Sequence, residues 1–203
     1  TLIQRAQIAL LAAVQLGSGY SLYQPEMDLD SYGRLLLMGR LAEIIGKETE
    51  LFLQYQPQVE MKTMQVVGVE ALVRWQHPTH GLIFPDRFIS ATEQTGLIHP
   101  LTTWALKTAL KQYRSWQDVG IEIPQAVNIS ARSLQDLEFP YHVASLIHAQ
   151  KGTPAWLQIE VTEGAIMANP SRAMNILTQL SAMEISLSMD DFGTGYSSLG
   201  RLK

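Results

Sequence analysis

The segment Ile185-Ser-Leu-Ser-Met-Asp-Asp-Phe-Gly-Thr-Gly195 decides how this 203-residue chain is read. Its first half alternates. Ile185, Leu187 and Met189 fall on one face of an extended strand, and Ser186, Ser188 and Asp190 fall on the other, as the period-2 geometry of a strand requires. Asp190 ends the strand on its polar face and Asp191 begins the loop, which Gly193 and Gly195 allow to turn tightly. Two neighbouring carboxylates repel each other unless a cation or a shared proton neutralises them. Taken alone, the segment reads first as a solvated Asp-rich turn.

Three upstream segments repeat the arrangement. In Gly68-Val-Glu-Ala-Leu-Val-Arg-Trp75, Glu70, Leu72 and Arg74 share one face, opposite Val69, Ala71, Val73 and Trp75. In Gln125-Ala-Val-Asn-Ile-Ser130, Asn128 lies opposite Val127 and Ile129. In Trp156-Leu-Gln-Ile-Glu-Val-Thr-Glu163, Glu160 lies opposite Leu157, Ile159 and Val161. Each strand thus carries one oxygen-donor side chain (Glu70, Asn128, Glu160 or Asp190) on its less apolar face.

Strand-like runs at 51–59, 65–75, 124–130, 156–162 and 185–190 alternate with helix-like runs at 85–95, 100–119, 140–150 and 170–183. The short connection from Glu60 to Met64 lets the first two strands pair as an antiparallel hairpin. The remaining order of strand, helix and strand predicts an α/β fold with a parallel sheet. Ligand chemistry in such folds gathers at the carboxyl ends of the strands, where Asn128, Glu160 and Asp190 fall. Two Glu, one Asn and one Asp form an all-oxygen set, suited to Mg²⁺ or Mn²⁺ and poor for copper or structural zinc. Asp191 could hold a second ion about 3.5–4 Å from the first, as in two-metal phosphoesterases.

Composition narrows the function classes. With 46% hydrophobic and 17% charged residues the chain is ordinary for a globular protein. It has no cysteine, which excludes thiolate metal sites, iron–sulfur clusters, disulfides and cysteine nucleophiles. A net charge of −4 argues against broad phosphate neutralisation, and so against DNA or RNA as partners. No apolar run is long enough to span a bilayer, and no signal peptide is expected from the first residues given. The chain is expected to act in the cytoplasm, although upstream domains could tether its parent to a membrane.

Before Glu48 the pattern differs. Residues 2–16 read as an Ala/Leu-rich helix stopped by Gly17-Ser-Gly19, Tyr20 to Tyr23 as a short edge strand, and residues 31–45 as a second helix ended by Gly46. Leu35, Met38, Leu41, Ala42 and Ile45 form a stripe along that second helix. The absence of an initial methionine suggests a piece of a longer chain.

Over about residues 47–203 the chain resembles the EAL-domain phosphodiesterases of bacterial cyclic di-GMP signalling. The resemblance rests on Tyr55-Gln-Pro57, Glu70-Ala-Leu72 followed by Val-Arg-Trp-Gln-His-Pro78, Pro85-Asp-Arg-Phe-Ile89, Glu93-Gln-Thr-Gly-Leu-Ile98, Asn128-Ile-Ser130, Glu160-Val-Thr-Glu163 and Asp190-Asp-Phe-Gly-Thr-Gly195. Residues 1–28 look like the C-terminal remnant of a GGDEF-like domain, which leaves 29–46 as a linker helix and 47–203 as the N-terminal two-thirds of an EAL domain.

The resemblance implies a modified (β/α)8 barrel with an antiparallel first strand. It further implies hydrolysis of cyclic di-GMP to linear pGpG, with one or two Mg²⁺ or Mn²⁺ ions. By matching position, Glu70, Asn128, Glu160 and Asp190 would hold the first ion and Asp191 the second. Glu163 would steady the adjoining loop, its alternative being a surface carboxylate. Gln56, Leu72 and Arg74 would touch the substrate, though Arg74 could instead serve as an ion-pair partner inside the barrel. A homodimer through the EAL domain and upstream GGDEF or sensory domains are also implied. A barrel of this type needs about 250 residues, and the family's general-base lysine has no counterpart here; Lys203 is not that lysine. The barrel is therefore expected to be incomplete in this chain, and the 203-residue piece to turn over little substrate by itself. An alternative stays open: a catalytically silent EAL module that acts as a cyclic di-GMP receptor or protein-interaction domain.

Overall fold

In the computed structural model, the described residues are 2–3, 5–6, 9–10, 13, 19–23, 36–47 and 49–190. The chain divides into two compact units, Thr1–Ile44 and Ile45–Lys203. In the first unit, the described residues among 2–13 are helical, with Ala9 and Ala13 buried one turn apart. The Arg5 guanidinium lies 5.1 Å from the centre of the Tyr23 ring. Residues 20–23 form no strand, which corrects the expected edge strand. A second helix covers 36–44, and its buried residues are Met38, Leu41 and Ile44. The expected stripe through Ala42 and Ile45 is shifted because the helix ends at Ile44 and Ala42 points outward.

The second unit is built on a six-stranded sheet. Its strands are β1 (Leu51–Val59), β2 (Val66–His77), β3 (Gly81–Ile83), β4 (Gln125–Ile129), β5 (Leu157–Thr162) and β6 (Ser186–Asp190). They run in the order β1-β2-β4-β5-β6, with β3 paired to the far end of β2. The β1–β2 pair is an antiparallel hairpin, while β2–β4, β4–β5 and β5–β6 are parallel. This mostly parallel α/β arrangement is the one expected of an incomplete TIM-like barrel. The hairpin turn closes through Glu60 and Gln65, with Met64 at φ 57°. The register slips between Gln58 and Val59, so Val67 has no partner on β1. Such a bulge bends the strand and re-aims nearby side chains.

Among the described residues of this unit, five α-helices accompany the strands: α1 (Ile89–Thr95), α2 (Ile98–Gln117), α3 (Phe139–Ala149), α4 (Glu163–Ala168) and α5 (Pro170–Ala182). In α2, Leu101, Ala105, Ala109 and Tyr113 recur every fourth residue and are buried, the apolar stripe of a helix packed on one side. In α5 the same role falls to Ala173, Ile176, Leu177 and Leu180. Beneath them the odd-numbered sheet residues Val69, Ala71, Val127, Ile129, Leu157, Ile159 and Val161 are buried. The Tyr113 ring stacks on Trp156 at 4.5 Å, and Gly152 leaves room for that indole, since a Cβ there would sit 2.6 Å from the Trp156 ring.

Apart from the helix expected over 85–95, the expected strand and helix cores of this unit lie where the sequence pattern put them, with ends moved by a residue or two. Among the strands and α-helices described, two were not expected. The β3 strand has only three residues, and α4 only six, both too short for a periodic signal. The start of α4 is set by Thr162, whose Oγ1 accepts from the Ala165 N–H at 3.2 Å. The predicted helix over 85–95 is a 3-10 turn at Pro85–Arg87 followed by α1. Among the described residues, no helix is long and apolar enough to cross a membrane.

Gln125 opens β4 with both side-chain amide atoms buried and without hydrogen-bond partners among the described residues. An unsatisfied buried amide costs about 1–3 kcal/mol. Gln125→Leu is therefore expected to raise the thermal midpoint, which a melting curve checks; a lower midpoint would show that the amide is satisfied in solution.

Candidate functional site

The even-numbered residues of the parallel strands point to the face opposite the α2 and α5 helices. Sheet register brings the oxygen donors together on it. Asn128 pairs with Glu160, and Glu160 with Ser188. Glu70 pairs with Ala126, two residues before Asn128, and Asp190 with Thr162, two residues after Glu160. The donors thus climb the sheet by two positions from β2 to β4, none from β4 to β5, and two from β5 to β6. That stagger is what closing a sheet into a barrel demands.

The side chains meet accordingly. Asn128 Nδ2 donates to Glu70 Oε1 at 2.7 Å. Glu160 is buried, 8% exposed, and its Oε1 accepts from Gln58 Nε2 and from Ser188 Oγ, each at 3.2 Å. Ser188 Oγ in turn accepts from Gln158 Nε2 at 2.8 Å. Burial first, then the charge of Glu70 and more weakly that of Asp190, push the Glu160 carboxyl above its usual range. The hydrogen bonds from Ser188 and Gln58 pull it partly back. Like charges therefore converge on Glu160, and the donors that answer it are neutral.

The other expected residues are placed as follows. Gln56 stands opposite Glu70 in the hairpin and is exposed. Leu72 and Arg74 continue the same face of β2, both half-buried. Arg74 Nε donates to Gln54 Oε1 at 2.9 Å, one of its terminal N–H groups donates to the Val73 carbonyl at 2.9 Å, and its guanidinium lies 5.2 Å from the centre of the Phe84 ring. Arg74 is thus held by an amide and an aromatic face. Glu163 lies in the first turn of α4, buried to 8% exposure, where a carboxylate suits the positive end of the helix dipole. Asp190 closes β6 and is exposed. Asp191 lies outside the described residues.

Five participants escaped sequence reading: Gln54, Gln58, Ser188, Gln158 and Phe84. The alternation Gln54-x-Gln56-x-Gln58 and the Ser186-x-Ser188 face were the available signals. Neither strand says which other strand its side chains will reach. Among the described residues no three acidic or histidine side chains are close enough to enclose a cation by themselves. The described set instead combines three carboxylates with the Asn128 amide. All of its donors are oxygen or can present oxygen, and the like charge gathered around Glu160 is what a hard divalent cation would relieve. By donor chemistry alone, this set suits a hard divalent cation.

Comparison with known proteins identifies the family. The EAL domain family model matches residues 39–203. The chain is 38% identical, over its whole length, to the Pseudomonas aeruginosa bifunctional diguanylate cyclase/cyclic di-GMP phosphodiesterase MucR, covering 30% of that protein. It is 35% identical to the Escherichia coli cyclic di-GMP phosphodiesterase PdeR, covering 99% of this chain and 30% of that one. The chain therefore spans less than a third of the length of these relatives. Among solved structures, the PaMucR phosphodiesterase in its c-di-GMP complex superposes with a TM-score of 0.72 at 40% identity, covering 78% of this chain and 66% of that one.

Proposed function

Because this chain belongs to the EAL domain family, we propose that the protein carrying it hydrolyses one phosphodiester bond of cyclic di-GMP to give linear pGpG. The convergence of Glu70, Asn128 and Glu160 on one face of the sheet carries this reading. Glu70, Asn128, Glu160 and Asp190 would hold one Mg²⁺ or Mn²⁺ ion, and Asp191 would help to hold a second. When bound, such ions lower the pKa of water and stabilise charge on phosphoryl oxygens.

The residues themselves do the positioning. Arg74 presents a rigid fork of donors to a phosphate, already oriented by Gln54 and Phe84. Leu72, between Glu70 and Arg74 on β2, and Gln56, level with Glu70 on β1, contact the nucleotide. Glu163, fixed in the first turn of α4, steadies the loop that follows β5. Water adds to one phosphorus and a ribose oxygen leaves, which opens the ring.

We further assign residues 1–28 to the end of a GGDEF-like domain, 29–46 to a linker helix and 47–203 to the EAL domain. The protein works in the cytoplasm as a homodimer through its EAL domain. Incubation of the full-length protein with cyclic di-GMP and Mn²⁺ tests the central reading. Release of pGpG is the expected result. Nucleotide binding without any pGpG would replace the enzyme with a receptor.

A further inference from the structure

We propose that Gln58 is a positioning residue that sets the orientation of the Glu160 carboxylate for metal binding. The inference rests on the reading of Glu160 as a metal-holding group.

Gln58 belongs to β1 and Glu160 to β5, and two strands, β2 and β4, lie between them. In a flat sheet, three strand spacings would separate their backbones by about 14 Å. Their side chains nevertheless meet at 3.2 Å. The contact therefore needs the sheet to curve and both side chains to extend over the strands between.

Two local features make the crossing possible. Gln58 stands opposite Gly68 on β2, and a Cβ at Gly68 would lie 2.8 Å from Gln58 Oε1. The absent side chain is the space that the amide occupies. The register slip that leaves Val67 unpaired follows immediately, where a bulge redirects the strand. Glycine and bulge together lay the Gln58 side chain along the inner face rather than above it.

The bond it makes is directional. Gln58 and Ser188 donate to the same oxygen, Glu160 Oε1, from strands on either side of β5. Ser188 is itself oriented by Gln158. Among the described residues, the second oxygen of Glu160 takes no hydrogen bond. Two neutral donors on one oxygen fix the rotation of the carboxylate without cancelling its charge, which a lysine or arginine would do. Partners of metal ligands act in this way, and losing one typically costs about 10- to 100-fold in metal affinity or activity.

The test is Mn²⁺ binding to the full-length protein by titration calorimetry, beside melting curves taken without metal. Gln58→Met keeps the length and removes the donor; Ser188→Ala removes the second donor and serves where the first variant folds poorly. Each is expected to weaken Mn²⁺ binding about 10- to 100-fold. A role in packing alone would move the melting curve and leave Mn²⁺ affinity unchanged. Gly68→Ala, which displaces the amide, is expected to weaken binding on its own and add little to Gln58→Met. Wild-type Mn²⁺ affinity in Gln58→Met, with Glu160→Gln impaired, overturns the inference. Unchanged affinity in Glu160→Gln overturns the reading of Glu160 as a ligand, and the inference with it.

Discussion

Glu70→Ala is expected to abolish cyclic di-GMP hydrolysis by the full-length protein, a loss on the order of 10³-fold. A bound ion supplies several kcal/mol of transition-state stabilisation, and each 1.36 kcal/mol is tenfold in rate. Losing about 4 kcal/mol of that through a missing ligand gives the stated factor. The substitution also removes the acceptor of the 2.7 Å bond from Asn128, so a second donor to the ion loses its orientation. Glu70 is only half-buried on β2, and its neighbours Val69 and Ala71 carry the packing of that strand. The variant should therefore melt close to wild type while turnover disappears. Turnover within tenfold of wild type would remove Glu70 from the site.

Glu160→Gln is expected to have two opposite effects. It should abolish metal-dependent turnover, yet stabilise the protein in the presence of a chelator. The cause is the environment of Glu160: buried, beside the charge of Glu70 and near that of Asp190, so that its pKa in the folded state is raised. The folded state then holds a proton more tightly than the unfolded chain. Stability is fully present below the unfolded pKa and is lost as pH rises through the raised folded value. Without metal, wild-type stability should fall over that window, and the neutral amide should remove the fall. Its Oε1 still accepts the hydrogen bonds from Gln58 and Ser188. At neutral pH the midpoint should rise, by roughly 2–4 °C for each kcal/mol of repulsion relieved. Added Mn²⁺ should raise the wild-type midpoint and leave that of the variant unchanged. Melting curves across pH, with chelator and with Mn²⁺, check both halves. Identical pH profiles without metal would mean that Glu160 is not under like-charge pressure.

Much of the fold was legible because its periodicities are strong. The alternation in 185–190, 156–162 and 124–130 reads as strands at sight, and the helix-like run at 100–119 falls on the helix found at 98–117. The antiparallel hairpin followed from a short connection. What escaped was short or edge-bound: β3 with three residues, α4 with six, and residues 20–23, which form no strand. Segments of that length hold too few repeats for a pattern to emerge, and their state is set by capping and pairing partners elsewhere in the chain.

The candidate site divides along the same line. Sequence alone marked Glu70, Asn128, Glu160 and Asp190 as polar residues on otherwise apolar strands, and period 2 guarantees that each points away from the helices. It could not say which would touch. Strand order and register decided that, placing Asn128 level with Glu160 and staggering Glu70 and Asp190 by two residues each. The partnership of Gln58 with Glu160 depended on tertiary structure entirely. It joins positions 102 residues apart across two intervening strands, through a gap that exists because Gly68 has no side chain and the sheet curves. Side-chain direction is a local property of the backbone, written in the sequence around each residue. Contact between distant strands is a property of sheet curvature, which no single strand encodes.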